Sequence, residues 1–325
     1  MPIRKIVTEK KVAESLNRLP EAKTPVMDEF YPSSIRSQHP SAYINISEIT
    51  AVTKAVPVVM RGTMPVSIGT GAGQTNRIEP QPIDVIMSVA GAELNDIKAY
   101  DGEGEKAWLD SKTLYARNTV RITAEAIAIQ SLSGTISFPM KTEDGMDTYT
   151  VKFGDVLTHE PTKLLDAADA DIDTVVEVLS SMAETLEEAG SVGDITWKAS
   201  KDVFAVLVKL LKGGGETTAL RVKIGTNKIT IDDDIVIERF NRRYYDPATK
   251  TWKSAIADKT LKAVIKDSFG FRYLALDNVD AKLKPLPFFI NPIKRDLPSG
   301  WVLNALSKPF PIPDPNAICD AVVIS

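Results

Sequence analysis

The stretch "EGEKAWLDSKTLYARNTVRITAEAIAIQSL", residues 103–132, decides the fold. Its apolar residues recur every three or four positions, which is the period of an amphipathic helix. Acidic residues in the first turn and Gly134 after the last turn mark its ends. One apolar stripe contains Leu109, Thr113, Ala116, Val120, Ala124 and Ile127. A second stripe beside it contains Trp108, Tyr115, Ile122, Ala126 and Ile129. At 1.5 Å per residue, this segment predicts a strut about 45 Å long.

Residues 52–68 alternate between apolar and mostly polar side chains. A period of two predicts a half-buried strand, and its two prolines favour an edge strand or a ribbon. A second extended stretch, "TNRIEPQPIDVIMSV", covers residues 75–89. The simplest structure is a long two-stranded ribbon that turns near residues 69–76. Because isolated ribbons are only marginally stable in water, its apolar face needs another surface.

The turn of this ribbon, "GTGAGQTN" at residues 69–76, could instead be a phosphate-binding loop. A dinucleotide fingerprint reads G-x-G-x-x-G and opens a helix whose N-terminus faces the pyrophosphate. Here Gly73 comes one residue early, Gln74 occupies the required position, and prolines at 80 and 82 exclude a following helix. We therefore predict a flexible turn. A nucleotide-dependent enzyme stays as a lesser hypothesis, which nucleotide-induced thermal stabilisation lost on Gly71→Ala would support.

The first fifty residues show no sustained period of 3.6 or 2. Residues 17–43 contain four prolines and the scattered aromatic residues Phe30, Tyr31 and Tyr43, which need a surface to pack on. We predict an extended arm that lies on the same chain or on a neighbouring copy.

After the long helix, the sequence predicts a β-hairpin around Asp144 and Gly145 and then a compact α/β block. Its predicted elements are a helix from Ile172 that stops at Gly190, a strand at 194–197, a helix at 201–212 capped by Ser200, strands at 228–231 and 234–240, and a hairpin at 243–253. The last residues form an apolar run. A terminus this apolar predicts a strand inserted in a sheet.

Composition and charge exclude several classes of protein. Hydrophobic residues make up 43% and charged residues 25%, as in a globular protein. No apolar run approaches the roughly 20 residues of a membrane span, and no signal-peptide pattern follows the N-terminus. Cys319 is the only cysteine, which excludes intramolecular disulfides and thiol-rich metal sites. A net charge of −4 argues against a general nucleic-acid binder, although a local basic face stays open.

Candidate sites all have a simpler structural explanation. The run "DADID" at residues 169–173 lacks the glycine and glutamate of a calcium loop, so we predict a capped first helical turn. Asp232–Asp234 are consecutive and point different ways, which predicts a solvated turn. The run "RRYY" at 242–245 could contact nucleic acid, but one short patch favours an exposed strand edge. His39 and His159 match no zinc or nucleophile signature, so we expect no catalytic residue, cofactor or metal site.

The order of these parts resembles a known family, the lambda-type major capsid proteins of tailed bacteriophages (phage major capsid protein E). The stretches that carry the resemblance are residues 43–89 ("YINISEITAVTKAVPVVMRGTMPVSIGTGAGQTNRIEPQPIDVIMSV"), 114–140 ("LYARNTVRITAEAIAIQSLSGTISFPM"), 148–154 ("TYTVKFG"), 194–212 ("DITWKASKDVFAVLVKLLK"), 235–253 ("IVIERFNRRYYDPATKTWK") and 316–325 ("NAICDAVVIS"). Each is a pattern, so the specificity lies in their order.

The resemblance implies an α+β, Hong Kong 97-like capsid fold. Its expected parts are an N-terminal arm at 1–50, an extended β-ribbon (E-loop) at 51–97, a peripheral domain with the spine helix at 98–164 and 276–325, and an axial domain at 165–275. Some relatives carry a long cleaved N-terminal scaffolding region. We expect none here, because the ribbon begins near residue 51.

The resemblance also implies a non-enzymatic structural protein that assembles with itself, through pentamers and hexamers, into an icosahedral shell. The implied partners are non-specifically bound double-stranded DNA, a scaffold, a portal and a decoration protein, with no membrane. The shell belongs to the virion and would be assembled in the host bacterial cytoplasm. Expected inter-subunit residues on the ribbon and spine helix are Met60, Arg61, Met64, Ile68, Gly69, Gly71, Gly73, Arg77, Trp108 and Tyr115.

Two further expectations concern covalent cross-linking between subunits and an alternative function of the same fold. Some relatives join an E-loop lysine covalently to a neighbour's asparagine, but no lysine lies between Lys54 and Lys98 in this chain. We therefore expect a single monomer band after boiling in SDS, and a ladder of oligomers would contradict this. The alternative within the same fold is an encapsulin-like nanocompartment shell with an enzyme cargo.

Overall fold

The computed structural model describes residues 3–45, 77–99, 102–213, 221–296 and 300–325. Within these ranges the helices are α1 (Glu9–Arg18), α2 (Pro25–Phe30), α3 (Gly91–Ala99), α4 (Gly102–Ser131), α5 (Ile172–Glu188) and α6 (Lys201–Gly213). The strands are β1 (Arg36–His39), β2 (Ile44–Asn45), β3 (Arg77–Ile78), β4 (Ile83–Ala90), β5 (Thr135–Lys141), β6 (Met146–Lys152), β7 (Leu157–His159), β8 (Ile195–Ala199), β9 (Val222–Ile224), β10 (Lys228–Ile231), β11 (Ile235–Arg239), β12 (Arg243–Asp246), β13 (Thr251–Ser254), β14 (Thr260–Ile265), β15 (Gly270–Leu274), β16 (Phe289–Arg295), β17 (Gly300–Ser307), β18 (Pro309–Ile312) and β19 (Ile318–Val322).

The chain divides into two compact units. Of the described residues, the first unit contains 3–45, Arg77–Ala128 and Phe271–Pro311, and the second contains Ile129–Gly270 and Ile312–Ser325. Each unit therefore consists of segments that are distant in sequence.

Helix α4 is the long helix that the sequence predicts, with 30 residues. All six residues of its first predicted stripe are buried. In the second stripe Ala126 and Ile129 are buried, whereas Tyr115 and Ile122 expose 66% and 59% of their surface. Gly134 follows the helix with φ of +75°, and a Cβ at this position would collide with the carbonyl oxygen of Gly154. Only glycine fits this helix end.

The first unit has a core that includes the N-terminal segment. Residues of this segment pack with α3, α4 and the antiparallel sheet β16-β17-β4. The buried members of this cluster are Ile3, Ile6, Val7, Val12, Val89, Ile97, Leu109, Ala116, Ile290, Leu303 and Ala305. The prediction of an irregular, extended arm is therefore wrong for α1 and α2. Both helices are short, and Pro20 between them and Pro25 at the start of α2 interrupt any period that the sequence could display.

The second unit is built on a seven-stranded sheet with the order β7-β19-β14-β8-β11-β10-β9. Strand β19 lies between β14 and β7, which confirms the predicted insertion of the chain end. Helix α5 contacts β19 and β7, and helix α6 contacts β8 and β11. The hairpins β5–β6 and β12–β13 also form as predicted.

The two faces of this sheet differ in character. Successive side chains of a strand point to opposite faces, so two adjacent rows of paired residues lie on different faces. The apolar row contains Leu157, Cys319, Ala263, Trp197, Ile237, Ile229 and Ile224. The charged row contains Thr158, Asp320, Lys262, Lys198, Glu238 and Lys228. One face of the sheet thus carries a line of charge through the middle of the unit.

Two predictions about boundaries have different outcomes. Ser200 precedes α6 as predicted, and its carbonyl oxygen accepts the Phe204 N–H at 2.9 Å. Its buried hydroxyl has no hydrogen-bond partner among the described residues, so the predicted side-chain cap is wrong. Strand β19, from the predicted peripheral domain, shares a sheet with β8 and β14, from the predicted axial domain. The boundaries of those domains stay a prediction.

Candidate assembly surface

Two parts of the predicted ribbon lie among the described residues, its base and its end. At the end, β4 pairs with β17 and is followed by helix α3, so the predicted ribbon is wrong for the residues of α3. Strands β2 and β3 form an antiparallel pair in which Asn45 lies opposite Arg77. The Arg77 guanidinium lies 4.4 Å from the centroid of the Tyr43 ring, a cation–π contact. The other predicted ribbon residues lie outside the described residues: Met60, Arg61, Met64, Ile68, Gly69, Gly71 and Gly73. The ribbon itself therefore stays a prediction.

Helix α4 presents large apolar side chains to solvent on one side. Tyr115 and Ile122 are seven residues apart, so they lie on one face, two turns from each other. Both are more than half exposed. We call this pair the exposed stripe of α4. Large apolar side chains that are exposed side by side often mark a site of protein–protein contact. This face of α4 is therefore a candidate contact surface.

Trp108 lies one further two-turn step toward the start of α4, but it is held within its own unit. Its indole N–H donates to a carboxylate oxygen of Glu93 on α3 at 2.8 Å. Lys112 lies 2.7 Å from the same oxygen. Burial alone would raise the pKa of Glu93, but hydrogen bonds from Lys112 and Trp108 outweigh it and lower the pKa. Trp108 is therefore half-buried and positioned by a charged partner.

A different side of α4 holds the N-terminal segment through two carboxylates. Asp110 accepts the Ser15 hydroxyl at 2.6 Å and forms an ion pair with Arg18. Glu125 accepts the backbone N–H groups of Val26 and Met27, both at 2.8 Å. Those two N–H groups belong to the first turn of α2, which has no carbonyl partners for them. The N-cap residue Thr24 makes no side-chain cap hydrogen bond, so Glu125 supplies the cap of α2.

Two arginines of α4 bind the same segment between those carboxylates. Arg117 donates to the carbonyl oxygen of Leu16 at 2.9 Å. Arg121 donates to the Thr24 hydroxyl at 2.7 Å, and both arginines form ion pairs with Glu21.

We call the four α4 residues involved the N-terminal clasp: Asp110, Arg117, Arg121 and Glu125. The clasp fixes the segment on its own chain, in agreement with one of the two predicted locations. Sequence periodicity missed these residues because their partners lie about 90 to 100 positions away.

The other predicted sites have structural roles. Asp171 caps α5 in a capping box with Thr174, as predicted for the acidic run. Asp232 and Asp233 occupy a turn with φ of 50° and 62°. Burial, followed by the charge of Asp320, raises the pKa of the Cys319 thiol to about 11, so it stays protonated at neutral pH. The described residues contain no acidic, His or Cys cluster able to hold a metal ion. None of the described helices is both long and apolar enough to cross a membrane.

Comparison with known protein families shows the family of this chain. Residues 8–323 match the family described as Phage major capsid protein E. The chain belongs to the phage major capsid protein E family. This capsid protein is therefore a building block of a virion shell, formed together with copies of itself. The family match also favours the capsid hypothesis over an encapsulin-like nanocompartment.

One solved structure shows the fold of this chain. The capsid protein is similar to a protein assigned as a prophage capsid protein of E. coli CFT073, with a TM-score of 0.64 and 14% sequence identity over 98% of this chain and 99% of that chain. This likeness confirms the predicted α+β, Hong Kong 97-like capsid fold.

Two other structures match at lower similarity. A phage-related protein from Bordetella bronchiseptica RB50 has a TM-score of 0.49 and 10% identity, over 98% of each chain. The capsid of a native GTA particle has a TM-score of 0.44 and 11% identity, over 95% of this chain and 93% of that chain. None of the curated proteins compared with the sequence matches it.

Proposed function

We propose that this capsid protein assembles through pentamers and hexamers into an icosahedral head shell that encloses double-stranded DNA. It works through contacts between subunits and not through catalysis. The exposed stripe of α4 is the observation that carries this proposal, because Tyr115 and Ile122 remain open on a helix whose other apolar stripe is fully buried. Burying one exposed side chain of this size completely contributes up to about 1.5–3 kcal/mol to the free energy of association.

The remaining inter-subunit residues follow from the same proposal. The ribbon, predicted at 51–97, would reach a neighbouring subunit with the residues before β4, because Val89 and Ile97 belong to the core of the first unit. Arg77 lies at its described base. Trp108 would border the exposed stripe, where its half-buried ring can still offer one edge. The peripheral domain (98–164 and 276–325) and the axial domain (165–275) are proposed with the boundaries predicted from the sequence.

Partners and location complete the proposal. DNA would be enclosed without sequence preference, since a chain of net charge −4 can offer phosphates only local basic faces. A scaffold, a portal and a decoration protein are proposed as assembly partners. Assembly would take place in the cytoplasm of the host bacterium, before the shell becomes part of the virion.

The test is assembly of the purified chain, with the exposed stripe as the variable. Wild-type protein should form shells or capsomers in electron microscopy, and nuclease should leave enclosed DNA intact in filled particles. The variant Tyr115→Glu/Ile122→Glu should lower particle yield by about tenfold or more, because two carboxylates would be buried without partners. Ala107→Glu, also exposed on α4, is the matched control and should assemble normally. Normal shells from the double variant would contradict the role of the stripe.

A further inference from the structure

The hairpin β12–β13 of the second unit exposes large aromatic residues. All four residues of β13 are exposed. Tyr245 and Trp252 lie opposite each other on one face, with ring centroids 5.7 Å apart. Trp252 exposes 66% of its surface and Tyr245 exposes 44%. Trp, Tyr and Arg are the residues that dominate the binding energy of protein interfaces.

This hairpin is also strongly basic. It carries Arg242, Arg243, Lys250 and Lys253, against one acidic residue, Asp246. Asp246 is already paired with Lys253. Arg243 and Lys250 have no ion-pair partner among the residues that the structure describes. The hairpin therefore combines two exposed rings with two uncompensated cations.

Helix α5 of the same unit has the opposite character. Its 17 residues contain no Lys or Arg, and its last two turns expose Glu184, Glu187 and Glu188. Carboxylates at a helix C-terminus oppose the helix dipole, which favours cations there. These three glutamates form no ion pair within the described structure. Their position is unfavourable in the isolated unit and would become favourable beside a cationic partner.

The two charged surfaces lie at opposite ends of one sheet. Residues 189–194 lead from α5 directly into the start of β8, so the acidic turns lie at the end marked by Ile195. Strand β11 is parallel to β8, and the N–H of Phe240 after it donates to the Ala199 carbonyl oxygen at 2.9 Å. The hairpin follows at that other end. Two different, complementary surfaces at opposite ends of a unit are what a head-to-tail ring requires.

We propose that the β12–β13 hairpin of one copy binds the acidic C-terminal turns of α5 in the next copy. Arg243 and Lys250 would face the glutamates, where a guanidinium can hold a carboxylate with two hydrogen bonds. Trp252 would be covered at the centre of the contact. This inference rests on the proposed self-assembly and names one of its heterologous interfaces.

A charge-reversal cycle tests the contact. Arg243→Glu/Lys250→Glu should lower the yield of particles, measured by electron microscopy and light scattering, by about tenfold or more. Glu187→Lys/Glu188→Lys should do the same, although it suits the helix dipole and should not harm the fold. The variant with all four reversals should recover most of the yield. Circular dichroism checks that every variant is folded.

The matched control is Lys201→Glu/Lys209→Glu, which reverses two exposed lysines of α6 and should assemble like the wild type. Failure of the fourfold variant to recover would overturn the proposed contact. So would shells of normal yield from the hairpin variant that no longer retain nuclease-protected DNA, because the hairpin would then face nucleic acid. Normal shells from either reversal overturn this contact alone, whereas a wild-type chain that stays monomeric overturns it together with the proposed function.

Discussion

The two units of this capsid protein use charge in different ways. In the first unit, the N-terminal clasp ties the N-terminal segment to α4, and its ion pairs with Arg18 and Glu21 are partly open to solvent. In the second unit, Lys198 and Lys262 are buried directly opposite each other in the charged row of the sheet. Each of these lysines depends on a carboxylate at 2.6 or 2.7 Å, Glu238 or Asp320.

This difference shows in which unit the loss of a single charge should reduce stability most. An exposed ion pair contributes little, because water and salt screen it and both side chains lose freedom. A buried cation that loses its partner keeps the full cost of its desolvation. The charged row should therefore be the more fragile arrangement, although the clasp contains more contacts.

The largest effect is expected for Asp320→Ala. It leaves Lys262 buried, with the carbonyl oxygen of Leu132 at 3.0 Å as its remaining hydrogen-bond partner among the described residues. The free energy of unfolding should fall by about 3 kcal/mol, measured by urea denaturation of unassembled protein. Lys262→Met/Asp320→Ala should regain most of this loss, because no buried cation is left. Asp258→Ala, an exposed carboxylate, is the control, and a double variant as unstable as Asp320→Ala would contradict the account.

A smaller effect is expected for Glu125→Ala in the clasp. Two backbone N–H groups at the start of α2 lose a charged acceptor, which should cost about 2 kcal/mol. Glu125→Gln keeps one oxygen acceptor and should lose about half as much. Amide exchange at Val26 and Met27, together with the rate of tryptic cleavage after the exposed Lys23, measures this directly. Unchanged exchange in Glu125→Ala would mean that other contacts hold α2.

The smallest effect is expected for the ion pair of Asp110 with Arg18, about 0.5 kcal/mol. Burial would raise the pKa of Asp110, but hydrogen bonds from Arg18 and Ser15 lower it overall. A lowered folded pKa means that this contribution is present above the unfolded value near 3.9 and is lost as pH falls through the folded pKa. Asp110→Asn should remove this part of the acid sensitivity, measured as the difference in unfolding free energy between pH 6 and pH 3. Equal pH dependence in both proteins would contradict it.

The same contrast explains how much the sequence could predict. The buried stripe of α4 is a local pattern with a clear period and the terminal strand is a local apolar run, and both were predicted. Helix α1 was missed although Thr8, whose hydroxyl accepts the Lys11 N–H, is a recognisable N-cap signal. Its few apolar residues are stabilised by distant parts of the chain, which no local period displays.

The charged row was beyond sequence analysis for a related reason. Lys198 and Lys262 read as ordinary surface lysines, since lysine is rarely buried. Only the register of β8 against β14 sets them opposite each other, and only β11 and β19 bring their carboxylates. On the candidate surface, Tyr115 was predicted from its place in the second apolar stripe. Its exposure could not be predicted, because it depends on which side of α4 the N-terminal segment covers.

Electron microscopy of the purified chain, with its mass measured by light scattering, tests the central claim most directly. The account predicts closed icosahedral particles or their pentamers and hexamers, formed by a protein that has buried the exposed stripe of α4. A folded chain that remains a compact monomer at all concentrations would contradict it.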